Sequence, residues 1–391
     1  METMNTLNLL PGAGRRLLQG HRWVFSNEIA DGLKECEPGS WVKVLTSKGV
    51  PLGNGYVNPH SLIAVRLVCP PGKDPDRAFF VALFQRAVRH RQRIYPGSEC
   101  YRLVYGEADG LPGLVVDRYG DVLVYQITTL GMARLEPLLR EILLEEFKPR
   151  ALVYRHDNQV RALEELEITR GVAHGQVPPE FWVEIDGLEC LVDPLEGQKT
   201  GVYLDQRDNR RALAPWVEGR RVLDLFCYDG AWALTAARLG AREVVGVDRS
   251  AGAITRALRN AERNRLADRC RFHQGDVLAF LKDVEKGSFD VVILDPPAFA
   301  KTKKTLAEAQ KGYIDLNRRA LRALPTGGVL VSCSCSYHLS EDLFQTMLLR
   351  AAQADGRQLR VLEARGQALD HPVLLAMPET RYLKCYFLEV I

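Results

Sequence analysis

Residues 222–248 read "VLDLFCYDGAWALTAARLGAREVVGVD". An apolar run ends at Asp224, a turn leads to Gly230, and a stretch of small and apolar residues reaches Gly240 as a helix C-cap. A second apolar run then ends at Asp248. Strand, helix and strand in so short a space make a βαβ unit, which joins parallel strands. An acid closing the second strand, roughly 20 residues past the first turn, can accept hydrogen bonds from the ribose hydroxyls of an adenosine-type cofactor. Within the turn only Gly230 stands among the large residues Phe226 and Tyr228. A G-x-G-x-x-G cradle for pyrophosphate is therefore disfavoured, whereas a phosphate-free cofactor such as S-adenosyl-L-methionine (SAM) needs only one close backbone approach. A glycine that merely packs helix against strand is the bland alternative.

The same rhythm continues on both sides. Apolar strands "RVLDLF", "EVVGVD", "CRFHQGD", "DVVILDPP" and "GGVLVSCSCS" alternate with helical segments at 231–239, 250–265, 277–285 and 307–324. The pattern predicts a doubly wound α/β domain with a parallel sheet covered on both faces. Ligands in such sheets bind at the carboxyl ends of the strands, so the strand-end residues carry the functional question. Asp276 ends "HQGD" and either caps the next helix or meets an adenine amino group. Asp295 ends "ILDPPAF", where two prolines stiffen the loop and withhold backbone donors. A capping or ion-paired role would suit either acid, but three acids at three successive strand ends are hard to explain by capping alone.

The last strand ends in "SCSCSYHLS". Nine cysteines, at 36, 69, 100, 190, 227, 270, 333, 335 and 385, are scattered without C-x-x-C spacing, so no zinc or other metal site is expected. Cys333 and Cys335 point to one face of a strand about 6.5 to 7 Å apart, too far for an easy mutual disulfide. Core packing and chemistry remain open for both.

The chain has 391 residues, 46% hydrophobic and 26% charged, enough for two or three domains. Lys and Arg total 52 against 49 Asp and Glu, and a net charge of +3 does not by itself announce a nucleic-acid partner. No leader is legible in "METMNTLNLL" and no apolar run is long enough to span a membrane, so a cytoplasmic protein with no membrane partner is expected. Residues 1–72 show short β runs ("WVFSNEI", "SWVKVLT", "PLGNGYV", "LIAVRLV"), predicting a small β-rich domain. Its "GRRLLQGHRW" sets Arg15, Arg16, His21 and Arg22 beside Trp23, a mixture that sits on phosphates and bases or is simply a solvated turn. Residues 73–190 predict a central α+β domain: a helix over 76–95, three strands in 101–127, a helix near 131–147 and a strand at "ALVYRH". The α/β domain is assigned to 191–391.

Together "LDLFCYDG", "VGVD", "LDPPAF", "GGVLVSCSCS", the segment "GQKTGVYLDQRDNR" at 197–210, "KGYIDLNRRAL" and "DHPVLLAMPETRYLK" resemble the bacterial 23S rRNA cytosine-5 methyltransferase I family. "HRWVFSNEI" is similar to the start of that family's PUA RNA-binding domain, so the resemblance spans essentially the whole chain. It implies a SAM-dependent, Rossmann-like methyltransferase domain preceded by a PUA-like domain, acting on a single-stranded or flipped cytosine of 23S rRNA, with a homodimer plausible. It implies cofactor binding by Gln198, Thr200, Tyr203, Asp205, Gln206, Arg207, Asp224, Phe226, Tyr228, Gly230, Asp248, Asp276 and Asp295. With Gly327 and Gly328 aligned, it makes Cys335 the nucleophile, with Asp295 as its catalytic partner, and sets Cys333 where an apolar residue is usual. Tyr337 and His338 depart from the family pattern, which has Gly and an apolar residue there.

A cysteine suits such a reaction because carbon 5 of cytosine is a weak nucleophile until a thiolate adds at carbon 6. An amino-group RNA methyltransferase would need no thiol and usually places an aromatic residue directly after the prolines, where this chain has Ala298. A non-catalytic RNA-binding assembly factor that keeps the fold is the alternative of a different class. An NAD-dependent oxidoreductase is disfavoured by the missing glycines.

Overall fold

The computed structural model describes residues 4–299 and 306–391. The chain divides into two compact units. The first comprises residues 1–183, 192–204 and 369–380, and the second 184–191, 205–368 and 381–391.

The first unit carries two five-stranded sheets. One is built from Asn5–Asn8, Trp41–Leu45, Pro51–Val57, Ile63–Cys69 and Trp23–Phe25, in that spatial order. The run "WVFSNEI" is a strand only over its first three residues. At Ser26–Glu28 it becomes a 3₁₀ turn, because the Glu28 carboxylate reaches back to the Phe25 amide at 2.8 Å. The opening strand Asn5–Asn8 has no alternating signal in the sequence; it forms by pairing parallel to Trp41–Leu45. The second sheet holds Cys100–Tyr105, Leu114–Tyr119, Val122–Ile127, Ala151–His156 and Thr169–Gly175. Helix Arg77–Ile94, capped by Asp76 through the Phe79 amide at 2.8 Å, packs Phe80, Leu83 and Phe84 into the core of this sheet. The single helix expected near 131–147 is two, Leu130–Arg134 and Glu136–Phe147, with Pro137 starting the second. A hairpin of Phe181–Ile185 and Leu188–Val192 follows in sequence.

The second unit alternates β1 (Arg221–Leu225), α1 (Ala231–Arg238), β2 (Glu243–Asp248), α2 (Ala251–Arg263), β3 (Cys270–Gln274), α3 (Val277–Asp283) and β4 (Val291–Leu294). It continues with α4 (Leu306–Arg322), β5 (Val329–Ser334), α5 (Glu341–Ala354), β6 (Leu359–Arg365) and β7 (Lys384–Val390). The sheet order is β3-β2-β1-β4-β5-β7-β6. Strands β1 to β5 are parallel, as the near-continuous apolar runs require, and β7 lies antiparallel between β5 and β6. The expected wholly parallel sheet is thus a mixed one, with an antiparallel addition at one side. The strand order reverses between the paired β1 and β4, and their carboxyl ends form the crevice where α/β sheets hold ligands. Leu223, Leu225, Val292, Leu294, Leu330 and Leu388 supply one face of the core, closed by Leu316, Leu321, Phe344 and Met347 from α4 and α5.

Candidate active site

The turn between β1 and α1 is built under strain. Phe226 and Tyr228 adopt left-handed conformations, with φ of 64° and 50°, and Gly230 follows at φ 83°. Each such non-glycine residue costs on the order of 1–2 kcal/mol, which marks the turn as fixed by its neighbours rather than by its own preference. The neighbour is β2: Phe226 and Cys227 donate their amides to Val247 O, and Tyr228 donates to Asp248 Oδ2 at 3.0 Å. The second oxygen of Asp248 accepts from Ser250 N at 2.9 Å. Gly230 is required sterically as well, since a Cβ there would stand 2.9 Å from the Phe272 ring.

Four carboxylates gather around this turn. Asp224 is fully buried; one oxygen accepts from Ala233 N at 3.0 Å and the other, Oδ1, has no hydrogen-bond partner. Burial first, then the charges of Asp295, Asp248 and Asp229, hold its carboxyl well above the usual range. Burial likewise pushes Asp229 up to about 6 against the opposing pull of Arg210 and Arg256. Asp295, just past β4, accepts from Gln206 Nε2 at 3.0 Å and Trp232 Nε1 at 3.1 Å, both on Oδ2. This donor set suits a cofactor that brings positive charge and no phosphate. The backbone amides of the turn are spent internally, so they form no anion nest, while the acids would repel a pyrophosphate and attract a sulfonium and an amino group.

The thiols separate clearly. Along β5 the serines turn toward α4: Ser332 Oγ donates to Asn317 Oδ1 at 2.7 Å, and the Tyr313 hydroxyl lies 2.9 Å from Ser334 Oγ and 3.2 Å from Ser336 Oγ. Tyr313 and Asn317 are four residues apart on one helix face, matching the two-residue period of the strand. The intervening Cys333 and Cys335 therefore face away from α4. Cys333 is fully buried opposite Cys385 on β7, and burial first, then that neighbouring thiol, raises its pKa. Cys335 comes directly after β5, at the carboxyl-end mouth, and is half-buried. All nine cysteines are free thiols, and the other eight are buried.

The remaining expected residues fall into distinct places. Gln206 is a buried hub, donating to Asp295, accepting from Asn209 Nδ2 at 2.7 Å and lying beside Cys333. Asp205 accepts from the Tyr382 hydroxyl at 2.6 Å, and buried Arg207 pairs with Asp186. Asp276 caps α3 through Ala279 N at 2.9 Å. Gln198, Thr200 and Tyr203 belong to the first unit, where Tyr203 donates to Gln198, and Thr200 donates to Asp117 and meets Tyr119 at 2.9 Å. The basic and aromatic cluster of the opening segment is largely occupied internally. Arg16 pairs with Glu28 and stacks on Phe25, Arg22 donates to the Leu67 and Val68 carbonyls, and Trp23 Nε1 donates to Glu107 at 2.8 Å. Sequence reasoning missed Trp232, Tyr313 and Lys384. Tyr313 was detectable as a polar tip on the apolar stripe of α4; nothing local distinguished the other two.

A PUA-like domain family matches residues 7–70, and a methyltransferase domain family matches residues 217–371. The ribosomal RNA large subunit methyltransferase I of Shewanella denitrificans is 40% identical over 387 residues, 97% of either chain. That of Cronobacter sakazakii is 37% identical over 392 residues, covering 98% of this chain and 99% of the relative. The chain belongs to the ribosomal RNA large subunit methyltransferase I family. Among solved structures, a candidate SAM-dependent methyltransferase from Streptococcus mutans superposes with a TM-score of 0.83, at 21% identity over 99% of this chain and 100% of that one. A candidate methyltransferase complexed with S-adenosylhomocysteine superposes at 0.85, with the same identity and coverage. These likenesses establish the fold: a Rossmann-like methyltransferase domain with a PUA-like domain before it. The acid-lined crevice of the second unit fits a cationic, phosphate-free cofactor such as SAM.

Proposed function

We propose that this protein methylates carbon 5 of a cytosine in 23S rRNA through a covalent adduct between Cys335 and carbon 6. One observation carries the reading: of nine thiols, only Cys335 is open to a substrate, and it sits at the strand-end crevice that also holds Asp295. The names of the relatives support ribosomal RNA as substrate, and the PUA-like match at residues 7–70 supports RNA binding.

SAM supplies an electrophilic methyl group. Asp248, the Phe226–Gly230 turn, Asp229 and Asp295 are the residues that would hold it, their negative field favouring its cationic centres. The Cys335 thiolate adds to carbon 6, forming a C–S bond and making carbon 5 an enamine carbon able to take the methyl group. Asp295, whose Oδ2 is fixed by Gln206 and Trp232, acts in its protonated form: its carboxyl O–H donates to the ring nitrogen and gives up that proton as negative charge develops there. Loss of the carbon 5 proton to a base then expels the Cys335 thiolate and restores the aromatic ring. Because the target carbon must meet both the thiol and the methyl donor, the cytosine is single-stranded or flipped out of its helix.

We also assign residues 1–72, 73–190 and 191–391 as PUA-like, central and methyltransferase domains. The separate sheets and the boundaries of the two family matches support that division. Cytoplasmic location and homodimerisation belong to the same proposal; no helix among the described residues is long and apolar enough to cross a membrane.

The test has two arms. Mass-spectrometric mapping of ribosomal RNA from cells lacking the gene should lose one 5-methylcytidine from the large subunit. Cys335→Ala should cut methyl transfer at least about a thousandfold while SAM affinity stays within a few fold. Retained turnover in that variant, or loss of a different modified base, sinks the mechanism.

A further inference from the structure

Lys384 opens β7 opposite Ser334 and is only 6% exposed. Its ammonium donates at 2.8 Å to each of three carbonyls, those of Ser336, Leu339 and Tyr382. Two of them belong to the loop that leaves β5. All three N–H bonds are thus spent on neutral oxygens, and among the described residues no carboxylate lies within ion-pair distance. The nearest candidate, Glu341 in the first turn of α5, is engaged by Arg381 at 2.9 Å and by the Tyr386 hydroxyl at 2.8 Å. A buried cation of this kind is costly unless some other charge answers it. Cys335 lies between Ser334, the strand partner of Lys384, and Ser336, whose carbonyl the ammonium holds.

We infer that Lys384 is a positioning residue: its ammonium clamps the loop after β5 around Cys335 and supplies the unbalanced positive charge against which that thiol ionises. The inference rests on the reading of Cys335 as nucleophile, since a thiolate is the reactive form. The chemistry is a simple ionisation, in which the thiol proton leaves to solvent and the charge remaining on sulfur lies within the field of that fixed cation. Such a neighbour lowers a thiol pKa by roughly one to three pH units. Lys384 itself is brought down to about 8 by burial, while the Cys335 and Glu341 charges oppose that fall and Arg381 adds to it. The cation is accordingly present at neutral pH and is lost as pH rises through about 8.

The test reads Cys335 ionisation without RNA. Alkylation by iodoacetamide is followed against pH by peptide mass spectrometry, with the eight buried thiols as internal controls. In the wild-type protein the midpoint should lie below the ordinary thiol value of about 8.5. Lys384→Met, which keeps the length and removes the charge, should raise the midpoint by about one pH unit and slow alkylation at pH 7 about tenfold. Lys384→Arg should restore most of the difference. A purely structural role would change accessibility, and hence the plateau, but not the midpoint. A wild-type midpoint at or above about 8.5, which needs no variant, overturns the inference, as does an unchanged midpoint in folded Lys384→Met. If the midpoints move as expected while Cys335→Ala still turns over, the Lys384 inference stands and the nucleophile reading falls.

Discussion

The two cysteines after Ser332 differ in surroundings far more than in sequence. Cys333 is closed in by β7 and Gln206, whereas Cys335, two residues on, clears the sheet edge. Cys333→Ala should therefore cost about 1–2 kcal/mol of stability through a small cavity and leave methyl transfer within a few fold. Thermal melting and turnover check this, and an inactive but folded Cys333→Ala would exchange the two roles. Trp232 carries a sharper test, because its indole donates to Asp295 Oδ2 beside the Gln206 amide. Trp232→Phe keeps most of the packing and removes that donor, so turnover should fall roughly tenfold with SAM affinity nearly unchanged. An unaltered turnover would remove Asp295 orientation from the mechanism. Asp295 stood out in the sequence as a strand-end acid, while Cys335 was told apart from Cys333 only by the family resemblance. Trp232 and Lys384 did not stand out, because their importance comes from what a distant strand or loop brings to them.

Helices α1 to α4 were legible within a few residues, since amphipathic spacing and caps such as Ser250 and Asp276 are local signals, whereas α5, capped by Ser340, was not read. The strands β6 and β7 were not read: one is an exposed edge, and the other follows a long irregular segment. Nor does local pattern reveal how β2 and β3 fit together. Gly246 stands in register with Phe272, and a Cβ on Gly246 would lie 2.6 Å from that ring, which also crowds Gly230. The phenyl group thus occupies the space of two missing side chains and steadies the turn before α1. Gly246→Ala should destabilise the protein by about 1–3 kcal/mol, and the same change in a Phe272→Ala background should cost clearly less. A double-mutant cycle by chemical denaturation measures the difference; strictly additive costs would show that the ring does not set the glycine requirement.

At the scale of the whole chain, composition predicts little: a net charge of +3 conceals a knot of four acids in one crevice. Motif order along the chain fixed the α/β class and the PUA-like start, but not the contact-based division, in which residues 369–380 fold with the N-terminal unit and 381–391 with the other. That return of the chain is tertiary and leaves no periodic trace. The acid knot nevertheless has a consequence for the stability of the molecule. Asp229 has a folded pKa of about 6, above the unfolded value of about 3.9. Between those values the folded state holds more protons than the unfolded state, so the contribution of Asp229 is fully present below about pH 4 and is lost as pH rises through about 6. The loss amounts to about 3 kcal/mol. Asp229→Asn cannot ionise, and its effect on hydrogen bonding does not vary with pH. The melting temperature of the variant, minus that of the wild type, should therefore climb between pH 4 and pH 7 and then level off. Calorimetric scans across that range decide the matter: parallel wild-type and variant curves would mean that Asp229 keeps an ordinary pKa, and that Arg210 and Arg256 offset its burial in full.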